Sequence, residues 1–384
     1  MKKIISFVLL LSFMYADGQK NAYPPPDHWI ATCMIGGNGI KHFFLLPRGE
    51  VQAFSPGGKP EPVQGLQNVV ALAAGNSHML ALKNDGTVWA WGENDDYQLG
   101  NKALAASGNN SAVPAQVTGI FNAVGISAIY NTSYALLADG TIRAWGNGNE
   151  GMTGDGKEIT AAQTTARISA RRLPVGVIGI NNARAIAGAM ALLESGEIMT
   201  WGNGRLGRLG NGNDQSSSSP VKVNGIKNAI AISASADHAL ALLSNGEVWA
   251  WGNNYKGQLG NGAINIQQND HSSVPVRVRG IQNAVAIAAN YTCFALLKTG
   301  EVMGWGWGEI GALGSKRNDA NSLPLKVPIP PKAIAIKAGN GQGFALMADG
   351  TLMGWGSDMV SGGVYKQTYT PIKITQVELR KIGQ

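Results

Sequence analysis

Apolar residues alternate with polar or small ones in short runs along most of the chain. Six of these runs close on a Trp-Gly pair: Trp91-Gly92, Trp145-Gly146, Trp201-Gly202, Trp251-Gly252, Trp305-Gly306 and Trp355-Gly356. A period of two belongs to strands with one face turned inward. The steps from one tryptophan to the next are 54, 56, 50, 54 and 50 residues, and so regular a spacing means one structural unit copied along the chain. Phe43 to Phe54 follows the template of Ala239 to Trp251, with Phe54 in place of the tryptophan, which makes seven copies.

Each copy has three parts. The first is an Ala-rich strand running into a hairpin, as from Ala231 to Asn245-Gly246; Asn-Gly or Asp-Gly between apolar runs predicts a primed two-residue turn, which needs positive φ. The second is the Trp-Gly strand. The third is led by proline, as in Pro275-Val276-Arg277-Val278 or Pro371-Ile372-Lys373-Ile374, and proline, which cannot donate to a ladder, fits the start of a strand. Small residues in the first strand let sheets crowd together at an axis, while Trp and Leu fill the wedge further out. The expected fold is therefore all-β, a seven-bladed β-propeller spanning residues 29–384 as one domain.

The array opens with a hairpin that lacks its own Pro strand and ends with a Pro strand that lacks a hairpin. The sequence thus predicts a ring closed by pairing the C-terminal strand at Pro371 with the N-terminal strands around Phe43 and Val51. One unit is short: Asn182 to Gly196 spans 14 residues where Asn228 to Gly246 spans 18, so the fourth blade has lost about four residues from its inner strand turn. Conversely, residues 155–173 form an insertion carrying Lys157, Arg167, Arg171 and Arg172. It reads either as a solvated loop or as a protruding wedge.

The first residues stand apart from the pattern. Lys2 and Lys3 precede an apolar run from Ile4 to Tyr15 and the triplet Ala16-Asp17-Gly18, the order of a secretory signal peptide cut after Gly18. Residues 19–28, with Pro24-Pro25-Pro26, read as an extended linker. No later apolar run approaches the ~20 residues of a membrane span. The expectation is a secreted or periplasmic protein without stable membrane insertion.

Composition supports this picture and narrows the chemistry. The 52 glycines and 14% charged residues suit tight turns and buried strands. The net charge is +7, but the basic residues are scattered among acids, so nucleic acid is not an expected partner. Cys33 and Cys293 are the two cysteines. Export permits a bridge, and their apolar surroundings suit buried free thiols.

Several motifs look chemical and are not. Gly146 to Gly151, Gly202 to Gly207 and Gly306 to Gly311 satisfy the dinucleotide glycine pattern, yet none opens a helix in a βαβ unit, and their recurrence at one point of the repeat marks them as turns. His78 and His238 share a repeat position held elsewhere by Thr132 and Gln342, which suits histidines bonded to turn backbone rather than metal ligands. No catalytic constellation, metal site or cofactor is expected.

The run Trp251-Gly252-Asn253-Asn254-Tyr255-Lys256-Gly257-Gln258-Leu259-Gly260-Asn261-Gly262, with reduced versions after Trp91, Trp201 and Trp305, closely resembles the repeat of the regulator of chromosome condensation family. The resemblance covers nearly the whole chain after Trp29 and implies a seven-bladed propeller. Similar propellers serve as exchange factors for small GTPases, chromatin binders, enzyme inhibitors and ubiquitin-ligase modules, so the resemblance does not fix function.

What remains is surface. The turns after each Trp-Gly gather Asp95, Asp96, Tyr97, Arg205, Tyr255, Lys256, Trp307 and Glu309 around one face. That mixture of aromatic and charged residues is enriched at protein interfaces; solvated turns are the alternative. The reading is an exported, monomeric, non-enzymatic propeller that binds a protein partner of unknown identity through this rim. The resemblance implies a second reading, a guanine-nucleotide exchange factor for a small GTPase delivered as a secreted effector.

Overall fold

The computed structural model describes residues 29–34, 40–46, 48–54, 61–107, 109–157, 169–263, 270–315, 319–361 and 364–374. Among them, seven four-stranded antiparallel sheets follow one another around a ring. Blade 1 is built from Trp29–Met34, Ile40–Leu45, Val51–Phe54 and Glu61–Pro62. Blades 2 to 7 occupy residues 69–116, 123–176, 183–222, 229–277, 284–326 and 333–373. Within every blade the strands lie side by side in chain order. The expected seven-bladed β-propeller is the fold.

The blades adhere through their large side chains. Leu240, Leu242 and Val248 of blade 5 pack against Trp305, Cys293 and Ala295 of blade 6. Blades 2 and 3 repeat this with Leu80, Leu82, Val88 and Trp145. Burying each leucine contributes roughly 2 kcal/mol, and the wedge recurs around the ring. The inner strands stay small there, as the sequence implied: Ala229–Ala234 carries only Ile230 and Ile232 as bulky residues.

The hairpin turns differ from the primed type. In blade 5, Leu243 donates its N–H to Glu247 and accepts from Gly246, both at 2.9 Å, enclosing the three residues Ser244, Asn245 and Gly246. Gly246 alone is left-handed, at φ 81°, which makes this the three-residue hairpin with a glycine bulge. Asn245 keeps an ordinary φ because its side chain accepts the Glu247 N–H at 3.0 Å. A Cβ on Gly246 would sit 2.7 Å from Asn283 Cα of the next blade, so glycine is required there twice over.

The predicted closure by pairing the two ends is not what forms. The Pro371 strand, Val364–Lys373, pairs with Leu352–Ser361 inside blade 7, Ile372 standing opposite Gly354. Blade 1 is completed by its own Trp29–Met34 and Glu61–Pro62. The repeat is in phase with the blade, so among the described residues each end strand is already used within its own sheet. Blades 7 and 1 meet instead through side chains: Phe44 packs with Phe344, Leu352 and Ile374, and His42 lies edge-on to Phe344 at 6.3 Å.

Residues 1–28, where a leader and linker are expected, and the side chain of Cys33 lie outside the described residues, as does the middle of the 155–173 insertion. Cys293 is a buried free thiol. No described helix is long and apolar enough to cross a membrane.

Candidate functional site

The turns that follow Trp-Gly share one face with the turns between the first two strands of each blade. Five of these turns are pinned by an indole of the next blade. Trp145 Nε1 donates to the Gln98 carbonyl at 2.9 Å, Trp201 to Met152 at 3.1 Å, Trp251 to Arg208 at 3.1 Å, Trp305 to Gln258 at 2.9 Å and Trp355 to Ala312 at 3.1 Å. The indole is at once wedge and anchor. Gly260 is left-handed at φ 62°, and a Cβ there would lie 2.8 Å from Trp305 Nε1. The tryptophan of one unit thereby dictates the glycine of the Leu-Gly pair in the unit before it.

The rim residues named from sequence divide by exposure. Asp95, Arg205, Tyr255 and Glu309 are exposed. Asp96 is half-buried, its carboxylate accepting from Asn131 at 2.9 Å and Asn147 at 3.1 Å on the next blade. Lys256 bonds Glu309 of the next blade at 2.8 Å and lies 5.1 Å above the Tyr255 ring. Arg205 stands 3.6 Å from Glu150 with its side chain 77% exposed, and Trp307 packs edge-on to Tyr291 at 5.8 Å. Tyr97 is buried, with the Arg172 guanidinium 4.8 Å above its ring; it supports the rim and is not displayed on it. Exposed ion pairs like these add little stability, so their charges remain available to a partner.

The short fourth blade opens a notch in this face. Its inner hairpin keeps three paired positions, Ala183 with Leu193 to Ile186 with Ala191, where blade 5 keeps five. Two missing pairs shorten the hairpin by about 7 Å at the usual strand rise. The space, about 50 Å³, is lined by Ile129, Tyr130, Met152, Trp201, Arg208 and Asp237 among others. Tyr130, left-handed at φ 50°, reaches past the short blade and donates its hydroxyl to the Ala236 carbonyl at 2.7 Å. Sequence reasoning located the shortening but, Trp201 apart, named none of these side chains. Arg208 was hidden in a repeat position that two other blades fill with Gln98 and Gln258.

The two equivalent histidines bond side chains across blades rather than turn backbone. His78 Nε2 meets Ser133 Oγ at 2.8 Å, and burial drives its pKa down to about 3. His238 Nδ1 lies 3.0 Å from Asp237 Oδ1 and its Nε2 3.0 Å from Cys293 Sγ. Burial opposes its charge, but the Cys293 sulfur and the Asp237 carboxylate outweigh burial and raise its pKa from 6.5 to about 10. Among the described residues no group of three or more His, Cys, Asp or Glu is placed to hold a metal ion.

Opposite pH effects follow. Between about 6.5 and 3 only the unfolded chain protonates His78, so its burial costs stability as the pH falls through that window. His238 is charged in the fold up to about 10 and uncharged in the unfolded chain above 6.5, so its contribution is complete below 6.5 and fades as the pH rises toward 10. Melting curves across that range are expected to show a weaker acid decline in His78→Gln and a weaker alkaline decline in His238→Gln. Identical pH profiles for both variants and the parent would remove this assignment.

Comparison with known proteins places the repeat. A family model described as the regulator of chromosome condensation (RCC1) repeat matches residues 85–136, 195–242, 245–296 and 299–346, and a second model of that repeat matches 69–98 and 229–258. The E3 ubiquitin-protein ligase HERC2 of Mus musculus is 27% identical over 342 residues, which is 81% of this chain but 7% of the ligase. Protein pim1 of Schizosaccharomyces pombe is 27% identical over 329 residues, 75% of this chain and 59% of that protein. The crystal structure of Prp20p from Saccharomyces cerevisiae, whose binding properties to Gsp1p and histones are described with it, superposes with a TM-score of 0.67 at 22% identity, covering 83% of this chain and 80% of that one.

Proposed function

Since this chain belongs to the regulator of chromosome condensation (RCC1) repeat family, we propose that it is a non-enzymatic propeller that docks a protein partner on its Trp-turn face. The observation that carries this reading is the rim itself. Arg205, Tyr255 and Glu309 stand exposed on turns that the indoles of neighbouring blades hold fixed. Fixed turns bearing aromatic and charged side chains bind without a large ordering cost. The leader at residues 1–18 makes export the working assignment.

The test is capture of partner proteins by the chain recovered outside the cytoplasm, where N-terminal sequencing is expected to begin at Gln19. Arg205→Glu and Trp307→Ala are each expected to weaken capture of the bound partner about tenfold or more, the size of an interface hot spot. Undiminished capture by both variants would exclude the rim. A second reading, nucleotide exchange on a small GTPase, draws on the shared fold with Prp20p. Nucleotide release that stays at its spontaneous rate across a GTPase panel removes it.

A further inference from the structure

We infer that the notch over blade 4 is a binding pocket for a carboxylate carried on a short apolar stem, with the Arg208 guanidinium as its counter-ion. Four blades offer a residue equivalent to Arg208, and the comparison is informative. Gln98 and Gln258 turn their amide oxygens back to accept the backbone N–H of Asp96 at 2.9 Å and of Lys256 at 2.8 Å. Met152 folds its sulfur over Gly202, covering backbone that the missing part of the hairpin would otherwise cover. Arg208 does none of this. Its Nε is buried without a hydrogen-bond partner, although the side chain lines a cavity of about 50 Å³.

An unpaired guanidinium in a half-enclosed site is costly unless an anion joins it. The carboxylate nearest in the lining is Asp237, and it is already engaged: Oδ1 with His238 Nδ1 at 3.0 Å and Oδ2 with Asn253 Nδ2 at 2.7 Å. Burial pushes its pKa up, but these bonds and the charges of His238 and Arg208 hold it at about 2, so Asp237 stays anionic and feels Arg208 at a distance while its hydrogen bonds go elsewhere. A single guanidinium beside that fixed carboxylate suits a monoanion better than a phosphate dianion. The rest of the wall sets apolar Ile129, Met152 and Trp201 beside uncharged polar Thr200, Asn203 and Ser235, and it accepts a short methylene stem rather than further charge.

The proposal rests on the docking reading only for where the carboxylate comes from, an acidic side chain of a partner or a free acid. Calorimetric titration of the full chain with propionate, with propionamide and with the blocked tripeptide Ala-Glu-Ala separates the possibilities. Propionate is expected to bind saturably and propionamide about tenfold more weakly or not at all, since it lacks the charge for Arg208. Arg208→Gln, the residue that two other blades carry, is expected to weaken propionate by a similar factor of about ten, while Lys222→Gln, at the far end of the last strand of the same blade, leaves it unchanged. A tripeptide that binds more tightly than propionate identifies a partner's acidic side chain as the occupant, and the reverse order identifies a free acid.

Equal binding of propionate and propionamide by the unaltered protein overturns the proposal whether or not the variants fold, as does undiminished propionate binding by a folded Arg208→Gln. Loss of partner capture in Arg205→Glu with propionate binding intact separates the fate of the pocket from that of the rim.

Discussion

Replacing Trp305 with alanine is expected to destabilise the ring by about 4 kcal/mol, the usual size for emptying a tryptophan site in a core. Trp305 is fully buried among Leu240, Leu242, Leu259 and Val278 of the preceding blade. Its indole N–H also satisfies the Gln258 carbonyl at 2.9 Å, which would be left without that partner. Trp305→Phe keeps most of the volume and loses the bond, for an expected cost of about 1 to 2 kcal/mol. Trp249, half-buried two residues before Trp251, is the control: its replacement by alanine is expected to cost about 1 kcal/mol, the typical single-site effect. Denaturant titration of the three variants gives the ranking, and equal losses at Trp305 and Trp249 would contradict the anchoring role.

Ending the chain after Gln367 is expected to lower the melting temperature sharply. The cut removes Ile372 and Ile374 from the cluster with Phe44 and Phe344, and it strips Met353 and Gly354 of their ladder partners Lys373 and Ile372. Loss of one buried isoleucine costs about 2 to 5 kcal/mol, enough on its own to threaten a fold of ordinary stability. The point variant Ile374→Ala tests the same seam more gently. A shortened protein that melts like the intact one would mean that this packing does not hold the circle.

The architecture was legible because the physics that shapes it repeats. A tryptophan every 50 to 56 residues, small inner strands and hairpin glycines all pointed to the same ring, and all three have their structural cause. What misled was phase. Trp29–Met34 lacks the Ala-rich signature of the other inner strands, and Glu61–Pro62 is only two residues long. With the first overlooked and the second assigned to the following unit, blade 1 looked incomplete and the last strand looked spare.

The binding face was only partly legible. The repeat position placed Arg205, Tyr255 and Glu309 correctly in the turns, but it could not show that Tyr97 is buried beneath Arg172. Nor could it show what the short fourth hairpin uncovers. A deletion is visible in a spacing, whereas the environment it creates depends on Tyr130 from one side and Asp237 from the other, residues 107 positions apart in the chain.

Each blade is made from one unbroken stretch of chain, with no strand borrowed from the far end. The boundary at which a gene segment can be duplicated is therefore also the boundary at which one sheet packs on the next. A tandem copying event in such a lineage adds or drops a complete wedge and strands nothing in the wrong sheet. Blade number in this architecture is thus open to change by simple duplication, with circumference rather than topology setting the limit.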